Sequence, residues 1–228
     1  HFADVGLDVA LVEVGLGGRL DATNAWDGGV AVLTNVGLDH TDRLGPTIAH
    51  VARQKAAIVK RGGVAVTAGD GEALAILRRR CARLGVPLAV APPAPVLGWS
   101  RDALTLELPR LGAVDVGLRG RHQASNAAVA DGLLAALALA GIATVSPESR
   151  RRGYAAARWP GRLELVTARV PGSAEAREVL LDGAHNPDGA RALAQALDDL
   201  RPLLAGGGEA PRAPLTVVWA SMADKDVM

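Results

Sequence analysis

Two short apolar runs constrain the fold of this chain more than any other feature. Residues 8–14 read DVALVEV and residues 30–36 read VAVLTNV. Neither alternates polar with apolar positions, so each has to bury both faces, as strands do in a parallel sheet covered by helices. Each run ends in polar chemistry: Glu13 ahead of Gly15-Leu16-Gly17-Gly18, and Asp39-His40 just past the second run. Ligands of open α/β sheets sit beyond the carboxyl ends of the strands, so these ends are the first places to look for function.

The pattern continues as alternating helices and strands. Spacing predicts a helix over 47–60, a strand over 64–67, a helix over 72–84 and a short strand over 87–90. Residues 104–108 and 114–118 alternate more and read as an antiparallel hairpin. A long Ala-rich helix is predicted over 122–140 with Gly141 as its C-terminal cap, and a short one over 147–153. Composition shifts at Trp159-Pro160-Gly161, which marks a boundary between a domain of residues 1–156 and one of residues 157–228. Strands over 163–166, 178–181 and 215–220 are predicted beyond it, with a helix over 187–200 and a Gly/Pro-rich loop over 206–214. Both parts read as α/β.

Composition excludes several classes. Hydrophobic residues make up 49% and the net charge is +1, so neither disorder nor a dedicated nucleic-acid surface is expected. Arg78-Arg79-Arg80 and Arg83 form a solvated helix face opposite Leu74, Leu77, Cys81 and Leu84. The single cysteine, Cys81, falls on that apolar face and reads as a small buried hydrophobe, which suits a reducing compartment. The most apolar run, 133–142, is too short to span a bilayer. No signal peptide is expected, and with His1 first and Met228 just past a strand-like run, both ends are expected to be cut points.

Four places carry candidate chemistry. Glu13 ends a buried strand, where a carboxylate needs either a cation or a salt bridge, for instance to Arg19. His40 follows the second strand as either a satisfied structural histidine or a ligand. Lys55 is one of only three lysines among 25 basic residues. It shares the inward stripe of its helix with Ile48, Val51, Ala52 and Ile58, as either a snorkelling side chain or an amine neutralised by burial. Asp182 ends a strand, and Asn186 with Pro187 opens a helix whose N-terminal N–H groups suit an anion. Asp182 and His185 flank that point, unless they simply bond each other. Asn126 is expected inward, on the stripe of Val129, Leu133, Leu137 and Ala140. Arg162 sits at the domain boundary, as a phosphate ligand or an ordinary surface arginine.

These residues fall in a recognisable set of motifs: EVGLGGRLDATN (13–24), GLDHT (37–41), LGPTIAHVARQKAAIVK (44–60), GRHQASNAAVA (120–130), PGRLE (160–164), LLDGAHNP (180–187) and DKD (224–226). Together they resemble the Mur-ligase superfamily, and within it the bifunctional dihydrofolate synthase/folylpolyglutamate synthase family. The resemblance implies a partial ATP-binding central domain, mostly parallel sheet with helices plus a small antiparallel hairpin, followed by a partial Rossmann-like C-terminal domain. It implies an ATP-dependent ligase joining L-glutamate to dihydropteroate or a reduced folate through an acyl phosphate. By motif, Glu13 and His40 match Mg²⁺ ligands, and Lys55 the lysine that is carbamylated in the superfamily. Asn126, Arg162 and Asp182 match ATP-contacting positions, and Leu20, Asp21 and Ala22 the pterin-binding stretch. His185 lies where glutamate enters. A cytoplasmic monomer without nucleic-acid or membrane partners is expected. The alternatives are a Mur-type ligase of cell-wall precursors and a non-catalytic folate- or nucleotide-binding relative.

Two departures from the family pattern matter. No Gly-Lys pair occurs in the sequence, so the phosphate loop GxxxxGK[ST] is absent. The lysine motif reads Lys55-Ala56-Ala57 where the family has Gly third. The 228 residues alone are therefore expected to have negligible ligase activity.

Overall fold

The computed structural model describes residues 4–169, 172, 176–204 and 215–220. Contacts divide the chain into two compact units, residues 1–93 with 125–146, and residues 94–124 with 147–228. This division differs from a cut at residue 156, because residues 94–124 cluster with the chain that follows 147.

The first unit is built on a parallel three-stranded sheet, β1 (Val30–Leu33), β2 (Val64–Thr67) and β3 (Leu88–Val90), in the order β1-β2-β3. Val30 pairs with Val64 and Ala65 with Leu88. The crossovers carry α1 (Thr41–Leu44), α2 (Ile48–Ala56) and α3 (Gly71–Leu84). Parallel pairing of β-branched runs demands cover on both faces. One core cluster joins Leu33, Ala56, Val59, Ala65, Leu77, Cys81 and Val86. Another joins Val66 to Val129 and Ala136 of α4 (Gln123–Leu139). Cys81 is 2% exposed, as its place on the apolar stripe predicts.

The second unit holds an antiparallel sheet, β4 (Val96–Trp99), β5 (Leu104–Leu108) and β6 (Gly112–Val116), with α5 (Pro147–Ala156) packed on β6. It also holds an antiparallel pair, β7 (Glu164–Arg169) and β8 (Ala176–Leu181), followed by α6 (Pro187–Leu200). Leu163, Ala196 and Leu200 form the core there, backed by Leu180 and Leu193.

Three expectations fail, and one strand was not expected. Residues 8–14 form no strand: they join no ladder, and Leu11 is 88% exposed. An all-apolar strand needs cover on both faces, and this segment has none among the described residues. Residues 215–220 are likewise exposed and form no strand with any other described residue. The helix predicted to residue 60 ends at Ala56. Ala57, Ile58 and Val59 donate to carbonyls three residues back, and Val59 turns into the core. Strand β4 went unpredicted because a register shift between Val96 and Gly98 breaks its alternation. The predicted 206–214 loop and Asp224-Lys225-Asp226 lie outside the described residues.

Candidate functional site

In the first unit, the glycine-rich loop after Glu13 is shaped by Asp21. Its carboxylate accepts hydrogen bonds from the Leu16 N–H at 2.9 Å, the Thr23 N–H at 3.0 Å and the Thr23 hydroxyl at 2.5 Å. Asp21 thereby caps a short 3-10 turn, Ala22–Ala25. Hydrogen bonding to the charged form lowers a carboxyl pKa. The Thr23 hydroxyl, then the backbone N–H groups of Leu16 and Thr23, hold Asp21 down to about 2. Asp21 is thus committed to the loop, while its neighbours Leu20 and Ala22 are exposed, Leu20 at 89%.

The loop's glycines let it lie against the C-terminal end of α2. Gly18 has φ +146°, and a Cβ there would come within 2.9 Å of the Gln54 carbonyl oxygen. Gly18 thus serves close approach to protein backbone.

Glu13 and His40 are both exposed, and Lys55 is half-buried on α2. His40 adopts φ 49° and ψ 43°, a left-handed conformation uncommon outside glycine. Its N–H donates to Asp39 Oδ1 at 2.9 Å. Among the described residues, no three His, Cys, Asp or Glu side chains converge as metal ligands. Asn126 is exposed, contrary to the inward placement predicted for it. The buried positions of α4 are Gln123, Ala124, Ala127, Ala128, Val129, Asp131 and Ala136. In so Ala-rich a helix, leucine spacing does not define the buried face.

In the second unit, the structure brings three predicted residues to one corner. Asp182 follows β8 and accepts two backbone hydrogen bonds: Leu163 N–H to Oδ2 at 2.9 Å, and Ala184 N–H to Oδ1 at 2.8 Å. A direct Asp182–His185 bond is not made; His185 Nδ1 instead meets the Gly183 carbonyl at 2.8 Å. The Arg162 guanidinium lies over Gly183, so that a Cβ there would sit 3.2 Å from Nη1. Among the described residues, that guanidinium has no hydrogen bond or ion pair to protein. Just beyond, Asn186 Oδ1 accepts the Gly189 N–H at 2.8 Å and Pro187 opens α6, as predicted. An exposed cation at a helix N-terminus favours an anion.

Sequence reasoning missed two residues beside this corner. His122, from the GRHQ motif, is half-buried, and its Nδ1 has no hydrogen-bond partner. Burial pushes its pKa down; Asp182 opposes this and Arg162 adds to it. Arg119 reaches the same turn through the Leu163 carbonyl, at 3.2 Å. Its place three residues before His122, just ahead of the motif that begins at Gly120, was its only signal in the sequence.

No family model matches the chain. It is 34% identical over 235 residues to the folylpolyglutamate synthase of Lacticaseibacillus casei, covering 99% of this chain and 51% of that protein. It is 38% identical over 202 residues to the dihydrofolate synthase/folylpolyglutamate synthase of Bacillus subtilis, covering 84% of this chain and 45% of that protein. Among solved structures it is similar to an FPGS-AMPPCP-folate complex, with TM-score 0.75 and 35% identity, over 87% of this chain and 49% of that one. The chain spans about half the length of the relatives it matches.

Proposed function

Because the chain belongs to the folylpolyglutamate synthase/dihydrofolate synthase family, we propose that its protein is an ATP-dependent ligase adding L-glutamate to dihydropteroate or a reduced folate. The observation that carries this reading is the match to a folylpolyglutamate synthase along 99% of the chain. The solved relative holding an ATP analogue and folate supports these substrate classes.

The chemistry has two steps. A carboxylate oxygen of the pterin substrate attacks the γ-phosphorus of ATP, and ADP leaves. The glutamate amine then attacks the acyl carbon, phosphate leaves, and the nitrogen loses a proton as the amide forms. Such reactions are accelerated chiefly by positioning and charge stabilisation. Arg162, over Gly183 and without a protein partner among the described residues, is suited to a nucleotide phosphate. Asp182 holds the turn that carries it. Asn126 and His185 are both exposed, and we assign Asn126 to the nucleotide and His185 to the side where glutamate enters. Leu20 offers an exposed apolar face to the pterin beside Ala22, on a loop framed by Asp21.

Mg²⁺ belongs to this reading as a companion of the phosphates, neutralising their charge when bound. Glu13, His40 and a carbamylated Lys55 are the donors we assign to it. Residues 1–156 would then supply part of the ATP-binding domain and residues 157–228 part of the glutamate-ligating domain. Among the described residues no helix is long and apolar enough to cross a membrane. We place the protein in the cytoplasm as a monomer.

The test is ADP release by the longest natural polypeptide carrying this chain. Release should require glutamate together with dihydropteroate or tetrahydrofolate. Release driven instead by a UDP-sugar peptide would assign it to cell-wall synthesis.

A further inference from the structure

Leu163 is held in a conformation its side chain resists. Its φ is +45°, in the left-handed region that costs a residue with a Cβ roughly 1–2 kcal/mol. Such conformations persist where the surroundings over-determine them, and they cluster at functional sites. Here every part of the residue is tied. The N–H donates to Asp182 Oδ2 at 2.9 Å, the carbonyl accepts from Arg119 Nη1 at 3.2 Å, and the side chain is 1% exposed against Ala196 and Leu200. The residue immediately before it is Arg162.

Arg119 is anchored at its other nitrogens. Nε donates to the Arg101 carbonyl at 2.7 Å, and Nη2 pairs with Asp102 Oδ1 at 3.2 Å. Arg101 in turn pairs with Glu178 of β8. The guanidinium therefore bridges the β4–β5 turn and the carbonyl of Leu163, with its side chain only 14% exposed. The turn before Leu163 is fixed as well: Arg162 N–H donates to the Trp159 carbonyl at 3.2 Å, and Gly161 N–H to Glu164 Oε2 at 2.8 Å. The Arg162 side chain alone is left without a protein partner among the described residues, over Gly183.

We propose that Arg119 is a positioning residue for Arg162, acting through the clamped backbone of Leu163 to hold the Arg162 guanidinium ready for an anionic ligand. This rests on the nucleotide reading of Arg162 given above. A fixed guanidinium loses less conformational freedom on binding than one on a mobile turn. The strain at Leu163 is the cost of that readiness, and Arg119 and Asp182 supply the two hydrogen bonds that hold it.

The experiment is a double-mutant cycle in the longest natural polypeptide carrying this chain, read as the dissociation constant for ADP by calorimetry. Arg162→Ala should weaken ADP binding. Arg119→Ala should weaken it by about tenfold, the usual scale for losing an outer-shell orienting bond. In the Arg162→Ala background, Arg119→Ala should add little, because the two act as one unit. Arg119→Lys, which keeps the charge and can retain one bond, should recover part of the loss, and it replaces the alanine variant if that does not fold. Asp102→Asn, at the exposed end of the fork, should change ADP binding less than twofold, by the small worth of exposed ion pairs. If Arg162→Ala weakens binding while neither Arg119 variant does, or if the Arg119 loss is undiminished without Arg162, the positioning role is refuted and the nucleotide reading stands. If Arg162→Ala leaves ADP binding unchanged, both are refuted.

Discussion

Asp182 and Leu163 are 19 residues apart in sequence and meet through one hydrogen bond, the Leu163 N–H donating to Oδ2 at 2.9 Å. The other oxygen of Asp182 takes the Ala184 N–H, so one carboxylate ties the start of β7 to the end of β8. Hydrogen bonds to a charged group contribute more than neutral ones, and truncation leaves both donors unmatched. We expect Asp182→Ala to destabilise the second unit by about 2 kcal/mol. Urea unfolding of the wild-type and variant chains, compared at constant slope, measures this; an unchanged midpoint would show that the tie is dispensable.

Asp21 is the group whose acid titration should stand out. Its folded pKa lies near 2, below the ordinary carboxyl value. A depressed folded pKa means stabilisation that is complete above about pH 4 and is lost as pH falls through about 2. Carboxyl-carbon NMR should place the Asp21 midpoint near 2 in the folded chain. A midpoint near 4 would mean that the Thr23 and Leu16 bonds do not hold in solution.

Asn186 accepts the Gly189 N–H as the N-terminal cap of α6. Replacing such a cap by alanine costs about 1 kcal/mol, and serine retains most of its effect. Asn186→Ala should lower the midpoint of thermal unfolding while Asn186→Ser stays near wild type. Equal losses in the two would point to a role other than capping.

Gly18 packs on the end of α2 with a positive φ, and a Cβ would stand 2.9 Å from both the Gln54 carbonyl oxygen and the Ile58 side chain. The carbonyl is backbone and has little room to move. Gly18→Ala should cost on the order of 2 kcal/mol through crowding and backbone strain. Gly85→Ala is the control: it also has positive φ, but open space around its Cβ position. Its loss should be smaller in the same denaturation assay.

The 228 residues by themselves should release no ADP from ATP, because no Gly-Lys pair is present to form a phosphate loop. Coupled-enzyme detection of ADP, with pterin and glutamate supplied, checks this directly. Sustained turnover would mean that phosphates are gripped by some other part of the chain.

What was legible in the sequence follows a physical line. Asn186-Pro187 located the start of α6, because capping is decided by adjacent residues. The 64–67 strand, the Arg-faced helix ending at Leu84 and the hairpin were readable for the same reason: their patterns are complete within one element. Residues 8–14 were misread because apolar content shows that a segment wants cover, not that cover is present. Asn126 was misplaced because a helix of mostly alanine and leucine leaves its buried face to the tertiary packing. The corner around Arg162 was found by motif, but its construction was not. A left-handed leucine has no local signature, and Arg119 reaches it across 44 residues.

The buried thiol of Cys81 gives the protein an internal clock. It is the chain's single cysteine, it sits in the core of the first unit, and burial raises its pKa against the weaker opposing pull of Arg80. An alkylating reagent in solution can capture it only while that core stands open. The capture rate therefore times the opening of the core around Cys81, and a substitution that loosens the packing on α2, such as Gly18→Ala, should make the clock run faster.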